Sequence, residues 1–236
     1  MKILCTICAR SGSKEIKNKA LKKILNRPLM AYTIRQAIKA KIFDKIIIST
    51  DSKKIQKIGK YYGAESWFLR PKNLATDNVP KLKVIKHAHE EAEKFFSKKI
   101  DVCVDLDITS PLRLVADIKN AFKKFQVSEC DNLFSVTKAN KNPYFNVIEL
   151  NNKKIQIVKK SKNKIFSRQV APKVYDMNAS IYIFKRDFLL KKNDIINKKT
   201  KIFIMPRERS IDIDDRFDLY LVKYLLKNEK KLFRQI

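Results

Sequence analysis

The residues able to do chemistry fall into two acidic pairs and one basic loop. Asp212-Ile213-Asp214 follows a run that predicts a strand over 201–205 and precedes one that predicts the last helix, over about 215–227. Residues two apart on an extended segment face the same side, so both carboxylates can address one magnesium ion. Magnesium takes a few carboxylates with water and substrate phosphates more readily than an all-protein cage. The same stretch suits a helix N-cap, for which Asp214 and Asp215 are apt, and the residues themselves leave both readings open. Asp105-Leu106-Asp107 is a second pair with the same spacing, also at a predicted strand end. The basic loop is Cys8-Ala9-Arg10-Ser11-Gly12-Ser13-Lys14, after the first predicted strand. Gly12 is one of three glycines in the chain. Glycine allows a tight turn with backbone N–H groups aimed inward, a means of holding phosphate oxygens. Arg10, Lys14 and Lys19 can neutralise a triphosphate, with Ser13 adding a hydroxyl donor; the alternative is a solvated basic turn. The spacing is neither that of a P-loop nor that of G-x-G-x-x-G.

These groups need a scaffold, and the chain predicts one. Residues 2–8 read as a short strand, and Pro28 opens a segment in which Leu29, Ala31, Tyr32, Ile34, Ala37 and Ile38 recur at helical spacing. A strand over 45–50 ends at Asp51-Ser52, the N-cap of a helix to about Tyr62 with Gly63 as its C-cap. A short strand at 64–68, a helix over about 80–96, a strand at 102–107, a helix over 114–126 and a strand at 132–137 follow. This alternation predicts a three-layer α/β fold, a mostly parallel sheet with helices on both faces and right-handed connections. Over 138–176 the alternation breaks. Residues 144–150 and 154–158 read as a hairpin turning at Asn151-Asn152-Lys153, in an insertion expected to serve dimer contact or substrate closure. Strand signals resume at 180–184, and the whole of 1–236 reads as a single domain without internal repeats.

Of 236 residues 44% are apolar, enough for one domain with a proper core. No apolar run reaches the roughly 18–20 residues needed to cross a bilayer, and the start lacks a secretory h-region, so a cytoplasmic location is expected. There Cys5, Cys8, Cys103 and Cys130 read as reduced. Cys5 and Cys8 form a C-x-x-C on a strand, where residues three apart face opposite sides, and no second ligand pair accompanies them. With 53 Lys and Arg against 24 Asp and Glu the net charge is +29. The lysines are spread along the chain and form no stripe interleaved with aromatics, so neither nucleic acid nor a membrane is the expected partner; the charge favours small anionic substrates. His87 and His89 read as surface residues of a Lys- and Glu-rich helix, and Trp67 as core rather than a nucleobase platform.

Six motifs, in order, resemble those of the CMP-N-acylneuraminate synthetase (acylneuraminate cytidylyltransferase) family over nearly the whole chain. They are Ala9-Arg10-Ser11-Gly12-Ser13-Lys14 with Lys19; Ser49-Thr50-Asp51-Ser52; Arg70-Pro71 with Leu74-Ala75-Thr76-Asp77; Thr109-Ser110-Pro111-Leu112-Arg113; Asn178-Ala179-Ser180-Ile181-Tyr182; and Asp212-Ile213-Asp214. Cys5-Thr6-Ile7-Cys8-Ala9-Arg10, Leu106-Asp107, Asn142-Pro143-Tyr144-Phe145-Asn146 and the run 175–187 are similar to the bacterial CMP-legionaminate branch of that family.

The resemblance implies a nucleotide-diphospho-sugar transferase-like fold and a homodimer. It implies transfer of CMP from CTP to the anomeric hydroxyl of a nonulosonic acid, legionaminic or N-acetylneuraminic, with loss of pyrophosphate. Magnesium, with manganese able to substitute, would sit on Asp212 and Asp214. Nucleotide contacts would come from Ala9, Arg10, Gly12, Ser13, Lys14, Lys19, Arg70 and Asp77, with Arg10, Lys14 and Lys19 carrying catalytic charge. Sugar contacts would come from Asp107, Thr109, Arg168, Gln169, Tyr175, Asn178 and Ser180. Glu15 stands where the family usually has glycine, and Ala20 where it has a nucleotide-binding asparagine, so Ala20 cannot supply that hydrogen bond. Lys81 occupies a position that is often Ser or Thr, and Asp107 one that is often Gln. The alternative function is a metal-dependent, GT-A-type glycosyltransferase, because Asp105 and Asp107 resemble the D-x-D with which such enzymes hold a nucleotide-sugar diphosphate.

Overall fold

The computed structural model describes residues 1–13, 15–161, 165–229 and 233. Its elements run β1 (Ile3–Cys8), a small β2–β3 hairpin (Lys23–Ile24 and Arg27–Pro28), α1 (Leu29–Ala40), β4 (Lys45–Ser49), α2 (Lys53–Tyr61) and α3 (Lys81–Phe96). Then come β5 (Val102–Leu106), α4 (Val115–Val127), β6 (Asn132–Lys138), a β7–β8 hairpin (Ile148–Asn151 and Lys154–Ile157), β9 (Tyr175–Lys185), α5 (Arg186–Lys191), β10 (Thr200–Ile204) and α6 (Arg216–Asn228). Six strands form one sheet in the order β10-β6-β9-β5-β1-β4. β1 pairs in parallel with β4 and β5, and β10 with β6. β9 runs antiparallel to both of its neighbours. A parallel strand needs a crossover, usually a helix; between β6 and β9 the described chain offers only the β7–β8 hairpin and loops, and it returns in the opposite direction.

The sheet is mostly parallel with helices on both faces, as the alternation predicts. Along β1, Cys5 and Ile7 pack with Met30 and Ile34 of α1 and Ile118 and Phe122 of α4. Leu4, one residue out of step, packs with Leu82 and Ile85 of α3 and Phe188 of α5 on the other face. Cys5 and Cys8 likewise fall on opposite faces, and all four cysteines are free. A third cluster seats Leu219, Val222 and Leu226 of α6 against Leu29 and Tyr32 of α1. Among the described residues no helix is long and apolar enough to cross a membrane. The β7–β8 hairpin is a separate two-stranded sheet. Its turn places Asn152 and Lys153 at φ 46° and 65°, the left-handed pair that a two-residue hairpin turn requires.

Two expectations are corrected, and two small elements are added. The strand expected at 64–68 reduces to a single bridge between Glu65 and Ile47. Beyond it, the Ser66 hydroxyl bonds to the Ile48 carbonyl and the Gln56 amide to the Phe68 carbonyl, so side chains take over the ladder. α5 and the β2–β3 hairpin, which carry no clear pattern in so few residues, were not anticipated. His89 is not on the surface: it is fully buried. Its position, seven after Leu82 and four after Ile85, lies on the inward stripe of α3, and the polar letters around it hide that spacing. His87 is half-buried, edge-on to Phe68, and Trp67 stacks on Phe95 at 4.2 Å, away from the cleft described below.

Burial pushes the His89 imidazole down from the ordinary 6.5 to about 4, although Glu93, 3.5 Å away, pulls the other way. The unfolded chain therefore takes up this proton first: stability is intact above pH 6.5 and declines as pH falls toward 4, by up to about 3 kcal/mol from this group. His89→Leu is expected to flatten the acid side of the melting-temperature profile. An unchanged slope would remove His89 as its source.

Candidate active site

The carboxyl ends of β1, β4 and β5 open onto a cleft of about 270 Å³, where open α/β sheets place their ligands. From the β1 side come Cys8, Arg10 and Ser13, and from the turn after them Lys19 and Ala20. Ala9 is buried behind this wall, its N–H on the Ser49 carbonyl. Asp51 pins the loop: it accepts the Ser11 N–H at 2.8 Å and the Ser11 hydroxyl at 2.6 Å, while Ser52 caps α2. That division of labour within Asp51-Ser52 is not visible in the sequence. Gly12 adopts no left-handed φ, and a Cβ there would meet no atom within 4 Å. Its backbone conformation therefore does not demand glycine, and the room beside it is open for a ligand. Lys14 lies outside the described residues.

Arg10 forms an ion pair with Asp77. Arg70 is buried, with Nε on the Ser49 hydroxyl at 3.1 Å and its own N–H on the Thr50 carbonyl at 2.7 Å. The Lys19 ammonium reaches across to the late motif, donating to the Ile213 carbonyl at 2.6 Å and standing 3.6 Å from the Asp214 carboxylate.

On the β5 side, the strand register sets Thr6 beside Asp105. The Thr6 hydroxyl donates to that fully buried carboxylate at 2.8 Å. Asp107 accepts the Thr109 N–H and hydroxyl at 3.1 and 2.9 Å. Between the two carboxylates stands Lys81, 3.1 Å from Asp105 and 2.5 Å from Asp107. Burial drives the Asp107 carboxyl up, but Lys81 and Thr109 outweigh it and hold it below the usual range. The D-x-D on which the glycosyltransferase alternative depends is thus already bridged by an ammonium.

The late acidic motif is divided by its own geometry. Asp215 caps α6, accepting the Asp218 N–H at 2.9 Å while Asp218 accepts from Asp215 and Asp214 N–H. The N-cap reading therefore belongs to Asp215, and the side chains of Asp212 and Asp214 are left for other work. Ile213 between them is buried, its N–H on the Thr109 carbonyl at 2.9 Å. The Asp214 side chain is exposed, whereas Oδ1 of Asp212 is sealed from water with no hydrogen-bond partner among the described residues. Burial, then the charge of Asp107, pushes the Asp212 carboxyl up to about 7, with the Thr109 hydroxyl opposing. A buried carboxylate oxygen in that state fits a cation. No three His, Cys, Asp or Glu side chains among the described residues are grouped to enclose one.

The other residues placed on the sugar side are scattered. Ser180 is fully buried and accepts from Arg113 through both its carbonyl and its hydroxyl. Asn178 is buried between the Ser135 and Ser210 hydroxyls. Arg168 lines a different groove beside Lys138 and Arg207, Gln169 is exposed, and Tyr175 packs half-buried at the start of β9. Arg113 itself, noted only as the end of a motif, is fully buried, and burial pushes its guanidinium down to about 10. It donates to Ser180, to Thr33 and Gln36 of α1, and to the Asp107 carbonyl.

A mostly parallel sheet with a cationic loop and carboxylates at its carboxyl edge has the layout of a nucleotide-handling transferase. The sequence pattern of a family described as cytidylyltransferase matches residues 4–235. A Campylobacter coli protein named post-translational flagellin modification protein B is 46% identical over 98% of this chain and 97% of its own length. The CMP-N,N'-diacetyllegionaminic acid synthase of Campylobacter jejuni is 44% identical over 95% of this chain and 94% of its own. A solved structure of CMP:2-keto-3-deoxy-manno-octonic acid synthetase complexed with CTP shares the fold, with a TM-score of 0.70 at 13% identity over 97% of this chain and 100% of that one. The chain belongs to the cytidylyltransferase family.

Arg113→Met would leave acceptors on β9 and α1 without donors and is expected to cost about 3 kcal/mol. Arg113→Lys should recover little, since one ammonium cannot span both sides. Urea denaturation midpoints within error of wild type for either variant would refute this.

Proposed function

We propose that the chain transfers CMP from CTP to the anomeric hydroxyl of a nonulosonic acid, with N,N'-diacetyllegionaminic acid as its substrate. The observation that carries the reaction is the pairing of a cationic cleft with a sealed carboxylate oxygen on Asp212 that has no partner among the described residues. The choice of sugar rests on the 44% identity, over nearly the full length of both chains, to the Campylobacter jejuni protein of that name.

The anomeric hydroxyl gives its proton to solvent as its oxygen attacks the α-phosphorus; a P–O bond forms, the bond from the α-phosphorus to the α,β-bridging oxygen breaks, and pyrophosphate leaves. Arg10 and Lys19, with Lys14, neutralise the charge that gathers on the departing pyrophosphate. Lys19 has to exchange the Ile213 carbonyl for phosphate oxygens to do so, and Arg10 its bond to Asp77. Arg70, anchored on Ser49, holds one wall of the nucleotide site. Asp212 and Asp214 would hold magnesium, or manganese in its place. When bound, the ion polarises the phosphate and screens its charge from the attacking oxygen. The orphaned Asp212 oxygen fits such an ion, and two carboxylates with water and phosphates match its habits. Thr109 and Asp107, beside that edge, would contact sugar hydroxyls.

A homodimer belongs to the same reading: Ile148, Leu150 and Ile155 expose 61%, 73% and 72% of their surface on the β7–β8 hairpin, more apolar surface than a lone hairpin keeps. A monomeric mass by light scattering would remove the dimer.

The central assay is pyrophosphate release from CTP with magnesium and each of legionaminic, N-acetylneuraminic, pseudaminic and deoxy-octulosonic acids. The diacetyllegionaminic acid should lead the others by about tenfold or more in kcat/KM. Release with none of them sinks the reaction, and a lead by another acid sinks the sugar. Asp212→Asn should lower turnover by more than about a hundredfold without lowering Tm, because it removes a buried charge.

A further inference from the structure

Lys81 is the first residue of α3, an unfavourable place for a cation because it faces the positive end of the helix dipole. Its ammonium is nevertheless fixed 3.1 Å from Asp105 and 2.5 Å from Asp107, with the Tyr182 ring 4.6 Å beneath it. The two carboxylates have the D-x-D spacing that suits a divalent ion, and Asp105 is wholly shielded from water, so it must have a fixed counter-charge. Lys81 also lines the cleft beside Asp107 and Thr109. Asp212, which feels the charge of Asp107, keeps an oxygen without a hydrogen-bond partner among the described residues.

We infer that the Lys81 ammonium stands in for a second divalent ion, clamped by Asp105 and Asp107, so that the cleft works with one metal ion rather than two. An ammonium holds two carboxylates together as an ion would, but it offers no open coordination position for a phosphate oxygen. The ligand-binding duty of a metal therefore falls on Asp212 and its neighbours alone. The inference rests on the proposed function only for that last division of labour; the occupancy of the Asp105–Asp107 site is independent of it.

The test counts bound Mn²⁺ by electron paramagnetic resonance near neutral pH, with the metal alone. Wild type, Lys81→Ala, Lys81→Arg and the double variant Lys81→Ala/Asp107→Asn are compared. Lys81→Ala should bind one more Mn²⁺ per chain than wild type, Lys81→Arg the wild-type number, and the double variant should lose the extra ion. Equal counts in wild type and Lys81→Ala overturn the inference. Melting curves in the same Mn²⁺ series cover a variant that folds poorly without metal. There, Mn²⁺ must raise the Tm of Lys81→Ala more than that of wild type, and a rise no larger also overturns it. A repeat of the wild-type count with saturating CTP should give one ion per bound nucleotide, and two would overturn the inference. Failure of CTP to be retained would instead strike the proposed function, while the metal-only difference between wild type and Lys81→Ala still decides the role of the lysine.

Discussion

The guanidinium of Arg113 is closed off from water, and a charge so placed needs fixed acceptors for its donors. Those acceptors come from separate parts of the chain: Ser180 on β9, Thr33 and Gln36 on α1, and the Asp107 carbonyl just beyond β5. Meeting them fixes how β9 sits against β5 and how the 107–113 loop folds back over α1. Asp107 and Thr109 ride on that loop. The Thr109 carbonyl in turn takes the Ile213 N–H, so Asp212 owes its place to the same interior point. This edge of the cleft is therefore built outward from a buried cation that reaches the cleft lining through the Asp107 carbonyl.

Much of the scaffold was legible because burial on both faces of a parallel strand leaves a plain mark, as in Val102–Leu106. Direction was harder. Nothing in the β-rich run at 180–184 says which way it lies, and only the missing crossover helix before it makes β9 antiparallel. For the site, motif spacing located the loop and both acidic pairs, but it did not assign partners within them. Asp214 and Asp215 are equally good caps by residue type, and the choice falls to Asp215 because Asp218 answers it. Ser180 and Asn178 carry the chemistry of a sugar site, yet both are spent on internal bonds. Lys81 and the D-x-D lie 24 or more residues apart in the chain, and their meeting depends on the sheet bringing α3 over the end of β5.

The charge of the molecule and the charge of its site differ in kind. A net +29 spread over the surface raises the local concentration of anions without choosing among them. Choice is left to the cleft, where positive groups are already engaged: Arg10 with Asp77, Lys19 with Asp214 and a carbonyl, Lys81 with two carboxylates. Among the described residues, therefore, an anion entering the cleft would have to exchange partners with these cations, as a polyanion able to displace several contacts together can.

The bond from Lys19 to the Ile213 carbonyl spans 194 residues of sequence. At synthesis rates of about 5–20 residues per second, the lysine emerges from the ribosome some 10–40 s before its acceptor does. β1, β4 and β5 can assemble during that interval, but the edge of the cleft cannot close. During that interval the growing chain holds a sheet and a cationic loop with nothing across from them, and the far wall of the cleft is added only when Ile213 follows.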